Sequence, residues 1–157
     1  MRRVKIILFV LLFIVFSTVI FLFISPIERS TKPLGLERDV TLNLGSGTFT
    51  MRIADSILER TRGLGGVEKL AQDEGMFFIF PENDFHPIWM KDMLIPIDII
   101  WLSEGLKVID TRENISPISF PEIFYPRAPA RYVVELSAGA IKTFGIKDGS
   151  EAKILSE

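Results

Sequence analysis

Cysteine is absent from this chain of 157 residues, and histidine occurs once, at His86. Without cysteine the protein forms no disulfide bond, so packing alone must hold its fold. Zinc usually takes three or four nitrogen or sulfur ligands, which one histidine cannot supply. The chain also lacks the Gly-x-Ser-x-Gly motif of serine hydrolases and the Gly-Lys-Ser/Thr end of a phosphate-binding loop. We therefore predict no metal site and no cofactor.

Acidic residues outnumber basic residues beyond the N-terminus. Arg2, Arg3 and Lys5 are three of the 18 lysines and arginines, whereas the chain has 20 aspartates and glutamates. The remainder of the chain is therefore acidic and contains no basic cluster. Such a surface does not attract a phosphate backbone, so we predict no nucleic-acid partner.

One long apolar run, Ile6 to Ile24, contains no charge, glycine or proline. As a helix rising about 1.5 Å per residue, it would span roughly the 30 Å hydrocarbon layer of a bilayer. It is longer than the apolar part of a signal peptide, about 7 to 15 residues, and no small-x-small cleavage site follows it. We predict a single-pass, uncleaved membrane anchor, with secretion after signal cleavage as the alternative.

The charges around this run predict the orientation of the chain. Positive residues precede the run, and positively charged flanks stay in the cytoplasm. Residues 1–25 are therefore predicted to be a cytoplasmic stub and membrane anchor. Residues 26–39, which mix proline, glycine and charge, are predicted to be a tether, and residues 40–157 a globular extracytoplasmic domain.

Beyond the tether, local patterns predict strands and two short helices. Residues 40–44 and 48–53 alternate around a Gly-Ser-Gly turn, as in a β-hairpin. Asp55 or Ser56, with Glu59 in the first turn, predicts a helix that stops at Gly63. Further strands are predicted at 75–80, 97–102, 106–110, 132–136 and 152–155, and a helix capped by Ser137 at 138–144. The predicted class is a β-rich α+β domain, with a bent sheet or a partly closed β-barrel, behind the transmembrane helix.

Three ordered blocks carry a resemblance to a known family. They are GMFFIFP at 75–81, IWMKDMLIPIDIIWL at 88–102 and ARYVVELSAG at 130–139. In this order and at about these separations, they resemble the uncharacterised family UPF0127, also named domain of unknown function 192 (DUF192). The resemblance covers about residues 53–155. It implies a compact β-rich domain, often exported, and it implies no established activity.

Asp98 is the first candidate site residue, because it interrupts an apolar strand. Strand geometry places it in one row with Ile100 and Leu102. An unpaired carboxylate in such a row would lower stability by several kcal/mol, so it must meet water or a hydrogen-bond donor. One interpretation is a structural bond to amides of the corner formed by residues 93–96. The other is a role in contacting a ligand.

Trp89 and Lys91 form a second candidate, because alternation in an extended segment places them on the same face. A tryptophan beside a lysine suits a sugar, a peptide or an anionic group. The alternative is that Trp89 closes the end of the core while Lys91 extends over it to solvent. His86 belongs to the same loop and is included among the candidate ligand-binding residues.

Glu135 lies on the same face of its predicted strand as Val133, and Arg131 begins that strand. An ion pair at the surface would explain both charged residues. If the strands of Asp98 and Glu135 were neighbours, the two carboxylates could share a cleft and act as acid and base. The loop 115–129, with four prolines and Tyr125, would cover the core or line a groove beside Trp89.

These features predict a membrane-anchored extracytoplasmic binding or accessory domain. Its ligand-binding residues would be Trp89, Lys91, Asp98, His86, Arg131 and Tyr125. A sugar, a peptide or a protein is the predicted partner, besides the membrane. Two alternatives remain: a hydrolase of envelope components that uses Asp98 and Glu135, and a structural subunit of a membrane complex.

Overall fold

The structure is a computed structural model that describes residues 38–156. The predicted anchor and almost all of the predicted tether lie outside these residues. The last tether residue, Asp39, belongs to the first strand of the domain. No helix within the described part of the chain is long and apolar enough to cross a bilayer.

Within residues 38–156, seven strands form one mixed sheet. The strands are β1 (Asp39–Leu44), β2 (Gly47–Ala54), β3 (Glu74–Asp84), β5 (Ile97–Leu102), β6 (Val108–Ile115), β8 (Ala130–Ser137) and β9 (Lys153–Ser156). Their order across the sheet is β6-β5-β8-β3-β2-β1-β9. The neighbouring strands are antiparallel except β2 and β3, which are parallel. Two further strands, β4 (Ile88–Trp89) and β7 (Ile123–Phe124), form a separate antiparallel ribbon.

The sheet is open, with β6 and β9 as its outer strands. Its two edges meet at one end only, through an isolated bridge between Lys107 and Glu151. The Ala152 amide donates to the Leu106 carbonyl at 2.8 Å in the same region. The predicted β-rich α+β class with two short helices is thus confirmed, but the sheet does not close into a barrel.

Each face of the sheet carries its own apolar core, because side chains alternate along every strand. Leu42, Phe49, Phe77, Ile100 and Val134 belong to one core. The other core contains Phe78, Ile97, Ile99, Trp101 and Val133, and it is completed by residues outside the sheet such as Leu64 and Met90. The candidate site lies on this second side, where short segments rather than a long helix cover the sheet.

The first helix, α1 (Ile57–Arg62), lies in the connection between the parallel strands β2 and β3. Parallel strands need such a crossover, because the end of one strand and the start of the next lie at opposite ends of the sheet. A capping box starts the helix as the sequence predicts: the Glu59 amide donates to Ser56 Oγ, and the Ser56 amide donates to the Glu59 carboxylate at 2.9 Å. The helix ends at Gly63, also as predicted.

We expect Ser56→Ala to lower the free energy of unfolding by about 1 kcal/mol, because the change removes the oxygen that caps α1. Urea denaturation of the full chain measures this difference. Ser56→Thr is the matched control, since it keeps the hydroxyl group and should remain close to the wild type. Equal stability of the alanine variant would show that the capping box does not hold α1.

The second helix, α2 (Ala140–Thr143), is shorter than predicted and starts differently. Ser137 does not cap it, because this residue remains in β8, opposite Ile97 of β5. Gly139 takes the N-cap position, with a φ of 88° that favours glycine. Serine favours the start of a helix, but pairing with β5 keeps Ser137 in β8.

Candidate functional site

A pocket of about 190 Å³ opens on the side of the sheet that α1 covers. It lies between the end of α1 and the segment that contains β4. Its lining combines aromatic, basic and apolar side chains with one carboxyl group. The lining residues are Arg60, Thr61, Arg62, Gly63, Leu64, Phe78, Phe80, Pro87, Ile88, Trp89, Lys91, Met93 and Glu135.

Glu135 supplies the carboxyl group of the pocket. It lies in β8, between β3 and β5, directly opposite Met76 on one side and Ile99 on the other. Its side chain is only 4% exposed, and its Oε2 atom is buried without a hydrogen-bond partner among residues 38–156. A buried polar atom without a partner lowers stability by about 1–3 kcal/mol. The fold therefore retains a group that destabilises it.

Burial raises the pKa of Glu135 to about 8, from the 4.5 of an ordinary glutamate. Removal from water disfavours the charged form of a carboxyl group, which accounts for the direction of the shift. Near pH 7 the group is therefore mainly protonated. A neutral carboxyl group both donates and accepts a hydrogen bond, so it can bind a hydroxyl or carbonyl group, or exchange a proton.

Gly63 leaves room beside this carboxyl group. A Cβ atom at this position would lie 3.7 Å from Glu135 Oε2 and 3.4 Å from the ring of Phe78. The backbone has a φ of 53° here, a conformation that glycine adopts with little strain. The residue that ends α1 thus also keeps the space next to Glu135 open.

Aromatic residues form the walls of the pocket. The ring of Phe80 stacks on His86 with 3.7 Å between centroids, and the Arg60 guanidinium lies 5.3 Å from the Phe80 centroid. Phe80 is thus held by two neighbours. Trp89 is 40% exposed, so part of its indole surface is free to contact a ligand.

Three basic side chains line the pocket, and they differ in what they already bind. Arg60 donates to the carbonyl oxygens of Asp55 and Ile79, so its position is fixed by the backbone. Arg62 and Lys91 are exposed, and neither side chain makes a hydrogen bond or ion pair within residues 38–156. These two cations are therefore available to an anionic group of a ligand.

Asp98 does not line this pocket. It is 0% exposed, and its two oxygens accept hydrogen bonds from the Asn114 and Ile141 amides, each at 2.8 Å. Asp98 therefore has a structural role, in which backbone amides donate to its carboxylate as one of the two interpretations of the sequence predicts. The donors are different ones. The sequence predicts donors among the amides of residues 93–96. In the structure the donors are instead amides of β6 and α2, which both lie next to Asp98.

Asp98 and Glu135 do not share a cleft, although their strands are neighbours. Asp98 pairs with Leu136, and Glu135 pairs with Ile99. Paired residues point to the same face, and adjacent residues of one strand point to opposite faces. The register therefore places the two carboxylates on opposite sides of the sheet, and the hypothesis of an acid-base pair is wrong.

The other predicted site residues divide into two groups. Trp89 and Lys91 both line the pocket, as their predicted shared face suggests. His86 contacts the pocket only through Phe80, and its Nε2 lies 2.9 Å from the Glu82 carbonyl oxygen. Arg131 donates to the Pro81 carbonyl, and Tyr125 is half exposed outside the lining. Neither Arg131 nor Tyr125 belongs to the pocket.

Sequence reasoning missed Arg62, Gly63 and Phe80 as lining residues. The sequence indicates Gly63 only as a helix stop and Phe80 only as part of an apolar strand. The one available signal was the basic residue at the end of a short helix, directly before a glycine. That signal does not reveal the strand over which the helix lies.

Fold and site together define a small β-rich α+β domain with a buried carboxyl group that is unpaired within residues 38–156, in a pocket of single-ring size. Residues 40–154 match the family model DUF192, described as "Uncharacterized ACR", and the chain belongs to this family. The predicted resemblance to UPF0127/DUF192 is thus confirmed.

Two archaeal relatives support the family assignment. The UPF0127 proteins of Thermococcus gammatolerans and Thermococcus kodakarensis are 33% and 29% identical to this chain over 101 residues. In both cases the match covers 63% of this chain. The chain spans 62% and 60% of the lengths of these relatives.

Two crystal structures share the fold. One, from Sinorhizobium meliloti 1021, is named as a candidate transcription regulator; it has a TM-score of 0.72 and 27% identity, and the match covers 75% of this chain and 95% of that one. The other is a protein of unknown function from Novosphingobium aromaticivorans DSM 12444, with a TM-score of 0.66 and 28% identity. That match covers 74% of this chain and 84% of the other.

Proposed function

We propose that the domain binds a small polar molecule in the pocket around Glu135. The observation that carries this proposal is the buried Oε2 atom at the pocket wall, which has no partner in the part of the chain that the structure describes. Buried polar groups are nearly always hydrogen-bonded, so an orphaned one indicates a missing partner. A ligand that supplies this hydrogen bond would remove the energetic penalty and gain affinity from it.

The pocket also has the composition of a binding site. Ligand pockets are mainly apolar and aromatic, with a few polar groups that orient the ligand. Here Phe78, Phe80 and Trp89 supply the apolar surface. Glu135 supplies a buried polar group, and Lys91 supplies an exposed one. We do not propose hydrolysis by paired carboxylates, because the second carboxylate lies across the sheet.

We further propose that the domain acts outside the cytoplasm, anchored by residues 6–24. The proposal rests on the length of that apolar run and on the positive residues before it. The pocket would then meet solutes or envelope components close to the membrane surface. Protease added to intact cells should remove the C-terminal domain; complete protection of the domain would contradict this placement.

A thermal-shift screen of the full chain against sugars, amino acids and organic acids tests the binding proposal. We expect at least one compound to raise the melting temperature of the wild type. A ligand at 100 times its Kd stabilises the folded state by about 2.7 kcal/mol. Glu135→Leu should abolish this stabilisation, because leucine cannot replace the hydrogen bond.

Glu113→Leu is the matched control for this screen. Glu113 is an exposed glutamate on β6, outside the pocket lining. This variant should respond to the same compounds as the wild type. Binding that persists in Glu135→Leu, or a screen without any stabilising compound, would contradict the proposed function.

A further inference from the structure

The available charges at the pocket are positive. Arg62 and Lys91 are exposed and unpaired within residues 38–156, and the guanidinium of Arg60 lies over the Phe80 ring. Glu135 is the only acidic residue of the lining. A positive pocket attracts an anion and repels a cationic ligand.

The ligand group that binds Glu135 must differ from the ligand group that binds Arg62 and Lys91. Glu135 is buried among apolar neighbours, where it is held neutral. A neutral carboxyl group forms hydrogen bonds with a hydroxyl group without a change of charge. An ammonium group there would lose its hydration in a buried site where a neutral carboxyl group supplies no opposite charge.

Size and shape narrow the ligand further. The pocket encloses about 190 Å³, below the roughly 300–1,000 Å³ of sites that hold drug-sized ligands. A single ring fits this volume better than an extended chain. The partly exposed indole of Trp89 offers a flat apolar surface beside it, which suits the C–H face of a sugar ring.

From this arrangement we propose that the ligand is a small hydroxylated carboxylate of the sugar-acid type. Its carboxylate would lie at Lys91 and Arg62, a ring hydroxyl at Glu135, and the ring against Trp89. This assignment rests on the proposed function, since it specifies the ligand of the same pocket.

A charge series on one sugar ring tests the assignment. Isothermal titration calorimetry of the full chain would compare D-glucuronate, D-glucose and D-glucosamine at equal ionic strength. We expect glucuronate to bind about tenfold more tightly than glucose, because it adds charge-assisted hydrogen bonds. Glucosamine should bind most weakly. Tighter binding of glucosamine, or equal affinity for all three sugars, would overturn the assignment.

Variants of the two cations locate the carboxylate. Lys91→Met and Arg62→Met should each weaken glucuronate binding about tenfold and change glucose binding much less, since only the carboxylate contacts them. Lys142→Met is the matched control, because Lys142 is an exposed lysine of α2 outside the pocket lining. A loss of glucuronate binding in Lys142→Met equal to that in Lys91→Met would also overturn the assignment.

The result also distinguishes this inference from the proposed function. If no sugar binds but another compound stabilises the wild type and not Glu135→Leu, the ligand class is wrong and the binding pocket stands. If no compound in either experiment depends on Glu135, both proposals fail.

Discussion

We expect Glu135→Gln to raise the free energy of unfolding, and to raise it more at alkaline than at acidic pH. Glutamine has nearly the same shape as glutamate, but it carries no group that ionises at these pH values. The wild-type carboxyl group is buried, its Oε2 atom has no partner among the described residues 38–156, and burial raises its pKa to about 8. The variant removes the penalty of ionising this group inside the domain.

The sign of the pH dependence follows from proton binding. Between pH 4.5 and about 8 the folded wild type holds a proton that the unfolded chain has already released. Stability therefore falls as pH rises through this window, by about 1.4 kcal/mol per unit. Below the window Glu135 contributes no pH dependence, and above it the penalty is complete, on the order of 5 kcal/mol.

Urea denaturation of both proteins at several pH values between about 5 and 9 measures this effect. The difference between variant and wild type isolates Glu135, because every other titrating group is common to both. Glu113→Gln, an exposed glutamate on β6, is the control and should show a small and constant difference. A flat difference for Glu135→Gln, or a variant less stable than the wild type, would contradict the burial of an unpaired carboxyl group.

A stabilising effect would also support the functional interpretation. Proteins retain destabilising groups mainly where an activity requires them. Glu135→Leu, which removes the hydrogen-bonding group, should therefore impair ligand binding, whereas Glu135→Gln keeps a donor and an acceptor and isolates the effect of charge on stability.

Asp98→Asn should have a large effect in the opposite direction. The Asp98 carboxylate accepts one hydrogen bond from the Asn114 amide and one from the Ile141 amide, in a site closed to solvent. Asparagine keeps one oxygen and turns an NH₂ group toward the other N–H donor. We expect a loss of about 2–4 kcal/mol, because one buried amide loses a charge-assisted bond and remains unpaired.

Urea denaturation at neutral pH measures this loss. Asp92→Asn is the matched control, because Asp92 is exposed and has a φ of 58°, which asparagine also tolerates. The control should remain within about 0.5 kcal/mol of the wild type. Wild-type stability in Asp98→Asn would show that the two amide bonds do not hold β6 and α2 to β5.

Local patterns in the sequence were sufficient for several features of the fold. Residue alternation placed Glu135 on the Val133 face of its strand, and it placed Trp89 and Lys91 together. The spacing of Ser56 and Glu59 identified the start of α1. These features depend on residues within about four positions of one another. They can therefore be predicted from the periodicity of a strand or from the residues that cap a helix.

The register between distant strands was not accessible in the same way. A shift of one residue between β5 and β8 would move a whole row of side chains to the other face of the sheet. No local pattern specifies that register, so the separation of Asp98 from Glu135 could not be foreseen. The same strand pairing keeps Ser137 in β8 rather than at the start of a helix.

The sequence predicts some properties of the candidate site, and the tertiary structure decides the others. Composition shows that the domain is acidic and free of cysteine, local alternation predicts its β-rich class, and residue type together with strand alternation makes Trp89, Lys91 and Glu135 candidates. Their meeting in one pocket depends on the crossover between β2 and β3, which carries Gly63 over β8. That contact joins residues far apart in sequence, and its physical basis is the burial of shared apolar surface, which no short segment of the chain encodes.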